Sequence, residues 1–185
     1  MFAGNMRTLL ISCRPQNGDD HMTRSELDEI WMREALKEAA KAADVGEVPV
    51  GAVAVSDEKI IGRAHNLRER THNPLGHAEL LLIEGLARSR KSWRLEEVEI
   101  YVTCEPCLMC SGAILQARIP RVVFGCSDPK AGAMGTLYDV TNDPRLNHRI
   151  EVVRGVLAKE CSEVLSEFFK KVRKGLISTA HEECS

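Results

Sequence analysis

Apolar positions recur at two spacings along the 185 residues, and the switches between them divide the chain into elements. Thr23 followed three residues on by Glu26 forms a capping box, after which Leu27, Ile30, Trp31, Ala35 and Ala39 keep helical spacing until Gly46. Residues 48–55 are apolar and β-branched, Asp57-Glu58 offers a turn, and residues 59–65 resume extended character, which predicts a hairpin. A polar loop covers 66–76. From His77 the sequence reads as a buried helix, then 98–103 as a strand, 106–117 as a helix and 120–125 as another strand, a parallel crossover. A loop rich in Gly, Asp and Pro at 126–147 precedes a fifth strand at 150–156 and a closing helix at 157–174. The expected fold is α/β: a five-stranded mixed sheet in a three-layer α/β/α sandwich.

Composition narrows this to one domain. With 44% hydrophobic residues the chain can bury a core without disulfides, and it has no internal repeat. Residues 22–175 are expected to form the domain, with a disordered extension at 1–21 and a loose tail at 176–185. Leu9-Leu10-Ile11 is too short for a signal segment or a membrane span. The seven cysteines are odd in number and three fall within seven residues, so they suit a reducing cytoplasm better than a disulfide framework. A formal charge of -2 makes no global case for a nucleic-acid binder, so any polyanion contact must come from local clusters.

The candidate chemistry lies in His77-Ala78-Glu79 and Pro106-Cys107-Leu108-Met109-Cys110. A catalytic zinc takes three protein ligands and leaves a fourth position for water. Cys107 and Cys110 are expected on the first turn of a helix that Pro106 starts, with both sulfurs on one face and the helix N-terminus favouring thiolates. His77 supplies the third ligand only if it lies at the junction of the loop and the helix start, since residues two apart inside a helix face opposite ways. Glu79 then serves as proton carrier between water and a base, the H-x-E and P-C-x-x-C signature of zinc deaminases. A lone histidine or C-x-x-C pair would mean less, and Cys104 in C-x-x-C-x-x-C competes as a fourth ligand that would close the site. Cys104 ends a strand whereas the pair sits on the next helix, so it reads as a small buried residue, and Cys13, Cys126, Cys161 and Cys184 read as incidental.

With those residues in hand, the chain resembles the bacterial tRNA-specific adenosine deaminases of the cytidine/deoxycytidylate deaminase superfamily, across roughly residues 23–173. The likeness runs through Gly46-Glu47-Val48-Pro49-Val50-Gly51-Ala52-Val53, Asn66, His72, Tyr101-Val102-Thr103, Arg121-Val122-Val123-Phe124-Gly125, Asp128-Pro129-Lys130-Ala131-Gly132-Ala133, Asn147-His148-Arg149 and Phe168-Phe169. It implies a cytidine-deaminase-like fold, one Zn2+ per subunit, a homodimer, and conversion of a wobble adenosine to inosine in a tRNA anticodon stem-loop, with an arginine tRNA the expected substrate. It also implies that Val48 and Asn66 shape the base pocket, that Asp128, Lys130 and Asn147 contact neighbouring nucleotides or order the adjacent loop, and that Phe168, Phe169 and the following basic residues, Arg173 among them, hold the stem-loop. Two departures lie beside the pocket: Leu75-Gly76 where a small polar residue and Ala are usual, and Cys104 in place of an aliphatic residue.

Read without the resemblance, Phe168-Phe169 is ordinary core or, beside the basic run at 170–174, an RNA contact, and that run is a solvated helix end that also suits phosphate. Two other functions compete. A deaminase of free guanine, cytosine or cytidine shares the zinc chemistry without needing a basic helix end, and a non-catalytic zinc-binding partner subunit has no use for Glu79.

Overall fold

The computed structural model describes residues 22–177. Helix α1, Arg24–Asp44, starts on the capping box, with Thr23 Oγ1 accepting from the Glu26 amide and the Glu26 carboxylate accepting from the Thr23 amide. The stripe set by Leu27 continues through Met32, Ala35, Ala39 and Ala42, so Ile30 points outward and Met32 takes the core place expected of it. Strand β1, Gly51–Ser56, is buried on both faces, which is why its sequence is continuously apolar. It starts later than expected because Pro49 has no N–H to offer a ladder and Val50 turns back to donate to Val48 O. Asp57 and Glu58, both at positive φ, form the two-residue turn into β2, Lys59–His65, an edge strand.

Helix α2, Ala78–Arg90, crosses to β3, Glu99–Cys104; α3, Leu108–Gln116, crosses to β4, Arg121–Cys126; then come β5, Glu151–Arg154, and α4, Ala158–Arg173. The last strand is shorter than expected because Gly155 and Leu157, both at positive φ, swing the chain into α4. The sheet order is β2-β1-β3-β4-β5, with β1 antiparallel to both neighbours and β3, β4 and β5 parallel, so the five-stranded mixed sheet and its three layers stand as expected.

Alternation along the strands builds two cores. Ala52, Ala54, Ile100, Val102, Val122 and Phe124 pack against Leu82 and Leu86 of α2 and Ile114 of α3. Val53, Val55, Tyr101 and Val123 pack against Met32 and Ala35 of α1 and Cys161 of α4. Helix α1 lies so close to β1 that a Cβ on Gly51 would stand 2.2 Å from the Ala35 carbonyl oxygen. Where that second face reaches the sheet edge, Arg121 donates two hydrogen bonds to Asp28 (2.9 and 2.7 Å) and one to Glu99, and the Tyr101 hydroxyl donates to Asp28 (2.8 Å). Among the described residues no helix is long and apolar enough to cross a membrane. The expected segment 1–21 and residues 178–185 of the expected tail, with Cys13 and Cys184, lie outside the described residues.

Candidate active site

Two helices begin where β3 and β4 end, and that C-terminal edge of the parallel strands is where open α/β sheets form clefts. His77 is the N-cap of α2, in extended conformation (φ -76, ψ 145), so it lies at the loop junction rather than inside the helix. Gly76 before it is required by close approach, since a Cβ would lie 3.0 Å from the Arg68 backbone. Cys107 is the N-cap of α3 and Cys110 its third residue, which corrects the expectation that Pro106 starts the helix and that both cysteines lie inside it. The cap position still turns the two sulfurs toward His77 Nδ1, at 3.8 Å for Cys107 and 3.5 Å for Cys110. All three donor atoms lie within 4.8 Å of one another, and among the described residues no other such group of His, Cys, Asp or Glu occurs.

The hydrogen bond from Cys110 brings the Cys107 thiol down to about 4, and the same bond pushes the Cys110 thiol up. His77 is raised by its hydrogen bond to Cys107. Two sulfurs and one imidazole nitrogen converging on a point, able to ionise together only beside a cation, fit a divalent metal with one position left open. Cys104 does not join them. It stands in register with Cys126 across β3 and β4, and its thiol, raised chiefly by the hydrogen bond to Cys126 and then by burial, belongs to that pair.

Glu79, second residue of α2, is buried, and that burial pushes its carboxyl above the usual range. It borders a cavity of about 480 Å³, a size ordinary for small-ligand sites, together with Val48, Asn66, His77, Cys107, Asp128, Lys130 and Phe169. Cys110 lies fully buried behind them. Asp128 Oδ1 accepts from the Lys130 and Ala131 amides, so this carboxylate orders the loop it belongs to.

Three expected contacts are not part of this cavity. Phe168 is 3% exposed and turns to the seam between α1 and α4, meeting Phe169 edge-on at 5.6 Å, because residues adjacent on a helix point about 100° apart. Asn147 is exposed in the loop before β5, and Arg173 is exposed at the last turn of α4; neither lines the cavity.

Sequence reasoning missed Glu47. It is fully buried, its Oε2 accepting from Asn66 Nδ2 (2.9 Å) and its Oε1 from the Arg70 amide (2.7 Å), which fixes the way the Asn66 amide faces the cavity. A carboxylate within the apolar run 45–55 needed a buried partner, and that was the available signal.

A His-Cys-Cys group beside a buried carboxylate, on a cytidine-deaminase-like sandwich, defines a hydrolytic deaminase, and the family model of MafB19-like deaminases matches residues 26–173. The chain is 51% identical over 147 residues to the tRNA-specific adenosine deaminase of Bacillus subtilis (strain 168), covering 80% of this chain and 91% of that one. It is 48% identical over 157 residues to that of Haemophilus influenzae, covering 84% and 91%. A solved structure from work on A-to-I editing by tRNA:A34 deaminases at the wobble position superposes with a TM-score of 0.71 at 37% identity, over 74% of this chain and 99% of that one. The chain belongs to the tRNA-specific adenosine deaminase family.

Proposed function

We propose that this protein hydrolyses the wobble adenosine of a tRNA anticodon to inosine, with one zinc ion held by His77 Nδ1 and the sulfurs of Cys107 and Cys110. The observation that carries the reading is the buried Glu79 carboxyl beside that three-atom group, with His77 and Cys107 on the wall of the same cavity. When bound, zinc supplies a Lewis acid that makes water a nucleophile near neutral pH. Glu79 takes the first proton of the attacking water and places it on the ring nitrogen next to C6, then takes the second from the hydroxyl now on C6 and delivers it to the amino group as ammonia leaves. Adenosine and water thus become inosine and ammonia, with the carboxyl restored. Its raised pKa suits a group that must hold a proton between two transfers.

Asn66, held by Glu47, offers the remaining polar valences of its amide to the base, and Val48 gives it an apolar surface. Lys130 and Arg68 on the cavity rim suit flanking phosphates, and Phe169 offers a face for stacking. Bases of an anticodon loop are already outside regular duplex, so turning one into the cavity costs less than extracting a paired base. An arginine tRNA with A in the first anticodon position, a homodimer and a cytoplasmic setting complete the reading. Incubation of the zinc-loaded protein with that tRNA should yield inosine, scored as A-to-G on sequencing; turnover of guanine or cytidine with none of the tRNA overturns it. Light scattering should return twice the mass of 20.6 kDa.

A further inference from the structure

Glu105 lies between Cys104, the last residue of β3, and Pro106, which leads into α3, and it is 3% exposed. The chemistry above makes no use of it. Its Oε1 accepts from the Met134 amide (3.0 Å) and the Thr136 amide (3.1 Å), and its Oε2 from the Asp128 amide (3.1 Å) and the Thr136 hydroxyl. A carboxylate has about four acceptor positions, so this one is fully committed to a single loop and has none left for a substrate.

The main chain repeats the attachment. The Glu105 amide donates to Cys126 O (2.9 Å), the Ala133 amide donates to Pro106 O (2.9 Å), and Cys107 bridges Gly132. Gly132 admits the carboxylate, since a Cβ there would stand 2.5 Å from it. The loop held in this way carries Ser127, Asp128, Pro129, Lys130 and Ala131, a contiguous stretch of the cavity wall.

We propose that Glu105 is a positioning residue for the reaction: its carboxylate templates the loop at 127–136, so that the wall formed by Asp128 to Ala131 stands ready before a nucleotide arrives. The inference rests on the cavity being the nucleotide site. A loop built around a single buried carboxylate loses its shape when that template goes, and the cost of ordering it then falls on substrate binding. The signature is therefore a raised KM with the chemical step spared.

Glutamine at this position keeps the shape but must turn its NH2 toward at least one of the three backbone N–H groups. For Glu105→Gln we expect amide hydrogen exchange at Asp128, Met134 and Thr136 to quicken about tenfold or more, and KM for an anticodon stem-loop to rise about tenfold with kcat held within about twofold. Zinc content should not change. Thr136→Val, which removes the hydroxyl donor to the same carboxylate, should give the same pattern more weakly, and it decides the matter if Glu105→Gln does not fold. Wild-type exchange and KM in these variants, or a fall in kcat alone, overturns the proposal. If the unaltered protein converts no stem-loop, the substrate assignment fails, while the exchange rates still decide whether Glu105 holds the loop.

Discussion

Under the proposed mechanism Glu79 and the three donor atoms differ in what their loss should do, because Glu79 carries the proton and the others hold the zinc. Glu79→Gln leaves the metal group intact, so the variant should bind zinc as the wild type does while inosine formation falls by roughly 10²- to 10⁴-fold. Near-full activity in a zinc-replete variant removes Glu79 from the proton path. Cys107→Ala deletes a ligand, and it should lose both zinc and activity; chelation of the wild type should abolish turnover, with zinc restoring it. The neighbours Phe168 and Phe169 should separate just as cleanly. Phe168→Ala hollows the seam between α1 and α4 and should cost about 3–5 kcal/mol in urea unfolding, whereas Phe169→Ala, half in solvent, should spare stability and weaken tRNA binding.

At the scale of elements, α1 is tied to the sheet by an ion pair that few surface contacts match. Asp28 and Arg121 are both nearly out of solvent, so Asp28→Asn takes from the guanidinium its one buried carboxylate and leaves it only the more exposed Glu99 and Glu151, at a cost of about 1.5–3 kcal/mol. Burial by itself raises the Asp28 carboxyl, but the hydrogen bonds from Arg121 and Tyr101 outweigh it and hold the pKa below 3.8. A carboxyl depressed by folding stabilises above its unfolded pKa, and that contribution disappears as pH falls through the lower folded value. The stability gap between wild type and Asp28→Asn should therefore be full at pH 7 and shrink only below pH 3.8. A gap that begins closing near pH 6 places its cause elsewhere.

The whole molecule carries a formal charge of -2, yet the proposed substrate is a polyanion. Its cations are distributed to suit this: Arg68 and Lys130 on the cavity rim, and Lys170, Lys171 and Arg173 in the last turn of α4, the helix whose Leu165 and Phe169 also face the cavity. Among the described residues Lys170, Lys171 and Arg173 make no ion pair with a carboxylate, leaving them available for phosphate. Replacing Lys171 and Arg173 together by Gln should weaken tRNA binding and lower the slope of log K against log salt by roughly one to two. An unchanged slope means that the end of α4 does not touch the tRNA.

What the sequence determined by itself was whatever local spacing encodes. The five strands, the four helices, the capping box at Thr23, the placing of His77 at a helix start and the Cys107–Cys110 spacing all follow from contacts within a few residues, where backbone geometry leaves few choices. Helix and strand ends moved by a residue or more, as at Pro106, because a cap is set by one residue's conformation rather than by a period. The tertiary structure alone decided which of two adjacent phenylalanines meets the cavity, since that depends on the side from which α4 docks. It alone paired Asp28 with Arg121 across 93 positions, Glu47 with Asn66 across 19, and Glu105 with a loop 23 to 31 residues away. The physical reason is common to all three: a carboxylate shows its charge in the sequence, but the partner that makes its burial tolerable is chosen only when the sheet brings distant segments together.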